Sequence, residues 1–92
     1  MSIQWLFDVI EARRRAPSDN SYTSSLFAEG LPKIAQKVGE EGTEVVVAAL
    51  AQDDQRLIEE VADLTYHTLV LLAARGLKIE DIVVELEKRH RH

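Results

Sequence analysis

Val61-Ala62-Asp63-Leu64-Thr65-Tyr66-His67-Thr68-Leu69-Val70-Leu71-Leu72-Ala73-Ala74 decides the fold of this 92-residue chain. It reads as the body of a helix from about Gln55 to Arg75, with Asp53 or Asp54 as N-cap and Gly76 at the C′ position. Apolar residues surround most of its circumference instead of forming one stripe, and such a helix must be covered on several sides. Three other helices of this length could hardly cover it. A second subunit is therefore expected to supply part of the cover. Length points the same way, because a domain this short buries a modest fraction of its surface and is marginal alone.

Working outward, Pro32 suits the first turn of a long helix that runs to about Ala51. Gly39 and Gly42 inside it each lower helix propensity by about 1 kcal/mol relative to Ala, so something other than propensity must favour them. Near the N-terminus, Leu6, Phe7, Ile10 and more weakly Ile3 recur at helical spacing until Pro17-Ser18-Asp19-Asn20 breaks the pattern. Trp5 and Phe7 read as core. Ser21 to Ser25 offer hydroxyl caps for one or two turns closed by Gly30. The last helix spans about Ile79 to Arg89, with Glu80 and Asp81 in its first turn and Lys88 and Arg89 in its last, the polarity the helix dipole favours. Lys78 stands where a capping Ser or Asp would be expected, and the terminal Arg89-His90-Arg91-His92 is given no role. The expectation is an all-α fold: one domain over residues 1–92, a helical bundle with four main helices, completed by dimerisation.

Composition narrows the function. Apolar residues make up 46% of the chain, with few aromatics, 4 Gly and 2 Pro, which fits a packed helical domain. Without cysteine there is no disulfide or thiolate site, so any metal must be held by oxygen or imidazole. A formal net charge of −5 argues against a nucleic-acid partner, since such proteins neutralise phosphates with clustered Lys and Arg. Asp8 and Glu11 interrupt the first residues, unlike a signal peptide. The longest apolar stretch, Thr68 to Ala74, is far too short to span a bilayer. A soluble, cytoplasmic protein with no membrane partner is expected.

The chemistry is carried by acidic pairs. Glu41 and Glu44 are an i,i+3 pair on one helix, and Glu60 and Asp63 are another on the next. Two antiparallel helices can present these four carboxylates to one point, with Glu40 a turn before Glu44 and able to join or support them. Gathered like charges repel, and a chain selected only for stability would not gather them. A hard divalent cation resolves the conflict: Mg²⁺ prefers oxygen ligands and is held by a few carboxylates with waters and substrate phosphates. Absent cysteine and sparse histidine point away from zinc; Mg²⁺ is favoured, with Mn²⁺ able to take its place. The competing account makes these residues solvated helix faces, as is accepted for Glu59.

Lys33 and Lys37 lie on the same helix face, with Lys37 one turn before Glu41. Either they form ordinary surface ion pairs worth a few tenths of a kcal/mol, or their ammonium groups meet phosphate oxygens the metal leaves uncovered. Arg13-Arg14-Arg15 reads as a solvated helix end. His67, one turn beyond Asp63, is a ligand or base, or else a satisfied core or interface histidine. Tyr22 offers a ring for stacking on a base.

Glu40-Glu41-Gly42-Thr43-Glu44, then fifteen residues, then Glu60-Val61-Ala62-Asp63 resembles the paired acidic motif of the all-helical nucleoside triphosphate pyrophosphatases. Ser21-Tyr22-Thr23, Leu26, Gly30, the run Lys33 to Glu41, and Glu60 to His67 are similar to the phosphoribosyl-ATP pyrophosphatase branch of that superfamily. The likeness covers nearly the whole chain. It implies a Mg²⁺-dependent enzyme that hydrolyses phosphoribosyl-ATP, a small nucleotide, to phosphoribosyl-AMP and pyrophosphate in the second step of histidine biosynthesis. Carried over by motif, Glu41, Glu44, Glu60 and Asp63 would be metal ligands and Glu40 would support the site or orient water. Lys33, Lys37 and Tyr22 are the candidate substrate contacts. The chain looks like the stand-alone form, without the cysteines of a fused cyclohydrolase. Two rivals stand beside this reading: a house-cleaning pyrophosphatase acting on dUTP, dCTP or damaged nucleotides, and a non-catalytic helical dimer module.

Overall fold

The computed structural model describes residues 1–91; His92, the end of the unassigned terminal run, lies outside the described residues. Five helices follow one another: α1 (Ile3–Arg15), α2 (Tyr22–Glu29), α3 (Leu31–Ala51), α4 (Asp54–Ala74) and α5 (Ile79–Arg89). The described residues contain no strand, and the all-α expectation holds. Boundaries fall where the capping chemistry placed them. Ser21 accepts from the Ser24 N–H at 3.1 Å, and Asp53 accepts from the Arg56 N–H at 2.9 Å. Gly76, at φ +72°, closes α4: its N–H bonds the Ala73 carbonyl while Leu77 N–H reaches back to Leu72, a Schellman end that needs the left-handed conformation glycine supplies. Lys78 caps α5 in spite of its side chain. An ammonium has no acceptor, so only half of a capping box forms, with the Asp81 carboxylate accepting from the Lys78 N–H at 2.9 Å.

With 21 residues each and two residues between them, α3 and α4 form an antiparallel hairpin that is the spine of the molecule. α1 and α2 cover one half of it. There Phe7, Ile10, Leu26, Ile34, Leu69, Val70 and Ala73 form the core. Each fully buried aliphatic side chain, such as Val70 at 0% exposure, contributes roughly 1.5–3 kcal/mol. Trp5, read as core from the sequence, is 54% exposed, whereas Phe7 is buried as expected. A Cβ on Gly39 or Gly42 would meet nothing, so no packing within the chain explains those glycines.

The other half of the hairpin, toward the Gln52–Asp53 connection, lacks such cover. Val46, Val47, Leu50, Ile58 and Val61 are exposed there, and α5 contributes no buried residue at all. The apolar circumference of α4 is thus covered by its own chain over its C-terminal half only.

Candidate functional site

Where the covered half of the hairpin gives way to the uncovered one, α3 and α4 bring acidic residues together. Glu41 and Glu60 are buried, at 6% and 5% exposure, while Asp63 is exposed. One carboxylate oxygen from each of Glu41, Glu60 and Asp63 lies within 4.8 Å of the others. The i,i+3 step from Glu60 to Asp63 keeps both on one face of α4, and the antiparallel register sets that face against Glu41.

Both buried carboxylates are half satisfied in the same way. Lys37 Nζ sits 3.3 Å from Glu41 Oε1, and Arg56 Nη2 sits 2.5 Å from Glu60 Oε1. Oε2 of each is buried with no hydrogen-bond partner. A buried unpartnered carboxylate oxygen is costly, and native interiors rarely keep one without a reason. Two in one cluster make a group that could hold a metal ion.

A hard divalent ion fits this donor set. All three groups are oxygen donors, the kind Mg²⁺ takes, and their oxygens already lie within 4.8 Å of one another. Glu44 lies beside the group of three. Its closeness to the Glu60 carboxyl and the negative charges of Glu41 and Glu60 hold its carboxyl up at about 7, against an ordinary 4.5.

The other residues singled out in the sequence divide. Glu40 is exposed at the rim, taking Lys37 at 3.8 Å and a hydrogen bond from Gln36 at 3.4 Å, and it lines a shallow pocket with Lys37, Thr43 and Glu44. Lys33 is partly buried a turn before Lys37 and makes no ion pair among the described residues. Tyr22 is 53% exposed, with its ring stacked on Tyr66 at 6.2 Å and its hydroxyl 3.0 Å from His67 Nε2. His67 Nδ1 is 2.7 Å from the Asp63 carbonyl, so Nδ1–H donates there and Nε2 accepts from Tyr22. The histidine is therefore a satisfied structural residue. Thr23 bonds Tyr66 in the same way across α2 and α4. Arg56 escaped the sequence reading, although its i,i+4 relation to Glu60 repeats that of Lys37 to Glu41.

Fold and site together define a class: an all-helical protein whose carboxylates converge across two antiparallel helices. Comparison with known proteins then narrows it. The family model described as phosphoribosyl-ATP pyrophosphohydrolase matches residues 4–90. A phosphoribosyl-ATP pyrophosphatase of Lacticaseibacillus casei is 53% identical over 88 residues, 96% of this chain and 80% of that protein. One from Pyrobaculum calidifontis is 51% identical over 87 residues, covering 95% and 93%. The histidine biosynthesis bifunctional protein HisIE of Xylella fastidiosa is 54% identical over 83 residues, 90% of this chain but 40% of that longer protein. The chain belongs to the phosphoribosyl-ATP pyrophosphohydrolase family, as its acidic and flanking motifs led one to expect, and is a hydrolase with it.

Proposed function

We propose that this chain hydrolyses phosphoribosyl-ATP to phosphoribosyl-AMP and pyrophosphate in histidine biosynthesis, with Glu41, Glu44, Glu60 and Asp63 holding Mg²⁺, or Mn²⁺ in its place. The observation that carries the reading is the pair of buried, unpartnered oxygens on Glu41 and Glu60 beside Asp63, in a member of this family. A bound Mg²⁺ would neutralise charge on the phosphate oxygens and so admit a polyanion to an acidic site. Glu40, at the open rim, orients the attacking water toward the bond between the α and β phosphates. Lys33 and Lys37 meet phosphate oxygens on the same helix face, and Tyr22, steadied by His67, offers its ring to the base.

The site belongs to one domain spanning residues 1–92 that works as a cytoplasmic homodimer. The exposed apolar residues of α3, α4 and α5 support the dimer, and among the described residues no helix is long and apolar enough to cross a membrane.

The test is to offer phosphoribosyl-ATP, ATP, dUTP and dCTP with Mg²⁺ and measure pyrophosphate release. Phosphoribosyl-ATP should be cleaved far better than the simple triphosphates. Comparable rates on dUTP or dCTP would reassign the chain to house-cleaning chemistry, and no release from any of them would leave a non-catalytic helical module.

A further inference from the structure

Glu41 and Glu60 share more than burial. Each keeps Oε2 bare and has Oε1 taken by a basic residue one helical turn earlier on its own helix. Because α3 and α4 run antiparallel, one turn earlier means opposite directions along the hairpin. Lys37 and Arg56 therefore bracket the cluster from its two ends, their backbones roughly 12 Å apart along the axis by helix rise. Neither basic side chain is buried with its partner. Lys37 is 25% exposed and Arg56 48%, against 8% and 6% for the carboxylates they cover. Arg56 also divides its guanidinium between Glu60 and the exposed Glu59.

We infer that Arg56, with Lys37 opposite it, is a stand-in counterion: it holds a cluster oxygen while the divalent ion is away and turns to the substrate's phosphates when metal and substrate arrive together. The inference rests on the metal-site reading above and adds a residue and a consequence to it. Two features carry it. A cation beside a carboxylate oxygen opposes a second cation at the same carboxylate, so the free metal must compete with Arg56 for Glu60. A half-exposed arginine pivoting on a flexible stem leaves that pair at little cost, since such pairs are worth only about 0–1 kcal/mol, and its planar fork matches phosphate geometry. Metal alone should bind weakly, and metal carrying a pyrophosphate group should bind well, because the anion repays the displaced guanidinium. The site thereby favours the metal complex of its substrate over the bare ion.

The experiment is calorimetry on the full chain and its Arg56→Met and Arg56→Lys variants, titrated with Mn²⁺ alone and with the preformed Mn²⁺–pyrophosphate complex. Arg56 is exposed enough that both variants should fold, which melting curves check. Arg56→Met should bind Mn²⁺ alone about two- to fivefold tighter and the pyrophosphate complex more weakly, shrinking the ratio between the two; Arg56→Lys should bind Mn²⁺ alone as the parent does and lose part of the affinity for the pyrophosphate complex. An ordinary surface ion pair would leave that ratio unmoved. If Arg56→Met binds Mn²⁺ no tighter than the parent, or if the ratio is unchanged, the stand-in role is overturned while the metal site stands. If the parent itself fails to bind Mn²⁺ in either form, the metal-site reading falls and takes this inference with it.

Discussion

Glu60 and His67 sit two turns apart on α4, each 5% exposed, and they meet opposite fates. Both ring nitrogens of His67 are partnered, one by the Asp63 carbonyl and one by the Tyr22 hydroxyl. Glu60 keeps one oxygen bare in the interior, as Glu41 does across the hairpin. Buried polarity that is fully satisfied fixes architecture: His67 ties α2 to α4 and sets Tyr22 in place. Buried polarity left unsatisfied stores a demand that a ligand can meet. The same helix thus carries one buried polar residue that is satisfied and one that is not, and hydrogen-bond accounting tells them apart where burial does not.

The contrast breaks most sharply by substitution at each side. Glu60→Gln should lower kcat/KM on phosphoribosyl-ATP by about two to three orders of magnitude, the scale of losing one preorganised charged group, with little change in the far-ultraviolet circular dichroism. A variant that keeps near-parental activity would place Glu60 with the structural residues. His67→Ala should do the reverse. Losing the buried imidazole and its bond to the Tyr22 hydroxyl, with a cavity in its place, should cost about 2–4 kcal/mol in denaturant unfolding, while the rise in melting temperature on adding Mg²⁺ persists. Loss of that rise would mean His67 belongs to the metal site after all.

A smaller effect concerns α5, which contributes no buried residue. Ile82 lines an apolar groove with Ile3, Leu64, Leu69, Leu72 and Ile79. In a dimer, Ile82→Lys should shift the mass seen by light scattering from about twice the 10.4 kDa chain toward the chain mass itself. A parent that is monomeric at micromolar concentration removes the dimer.

The smallest effect is a pH dependence. The Glu44 carboxyl ordinarily titrates at 4.5 and is raised to about 7 in the folded, metal-free protein. A raised folded value means the contribution is fully present below 4.5 and is lost as pH climbs through 7. Without metal, the parent should therefore lose stability across that window relative to Glu44→Gln, which has no such proton to give up. Parallel stability curves for the two proteins would show that Glu44 stands clear of its neighbours.

Much of this arrangement was legible in the sequence because it depends on local rules. Asp53, Ser21 and Gly76 end helices through contacts spanning a few residues, and i,i+3 spacing alone puts Glu60 and Asp63 on one face. Convergence with Glu41 followed from assuming a tight antiparallel hairpin, which the two residues between α3 and α4 enforce. Two kinds of information were not legible. Which half of α4 its own chain covers depends on where α1 and α2 dock, and the same docking left Trp5 outside. The bonds of Tyr22 to His67 and Thr23 to Tyr66 join residues 45 and 43 apart, beyond any periodicity. Arg56 is a different case. Its spacing to Glu60 was in plain view, and only the orphaned oxygen beside it distinguishes that pair from an ordinary surface one.

The most direct test of the central claim, that the bare oxygens of Glu41 and Glu60 await a divalent cation, is a melting series with increasing Mg²⁺ for the parent and Glu60→Gln. An ion that binds only the folded state stabilises it by RT ln(1 + [L]/Kd). The parent's Tm should therefore climb steadily with the logarithm of Mg²⁺ concentration above Kd, while the variant's stays nearly flat. Equal slopes for the two proteins, or no slope in the parent, would contradict the account.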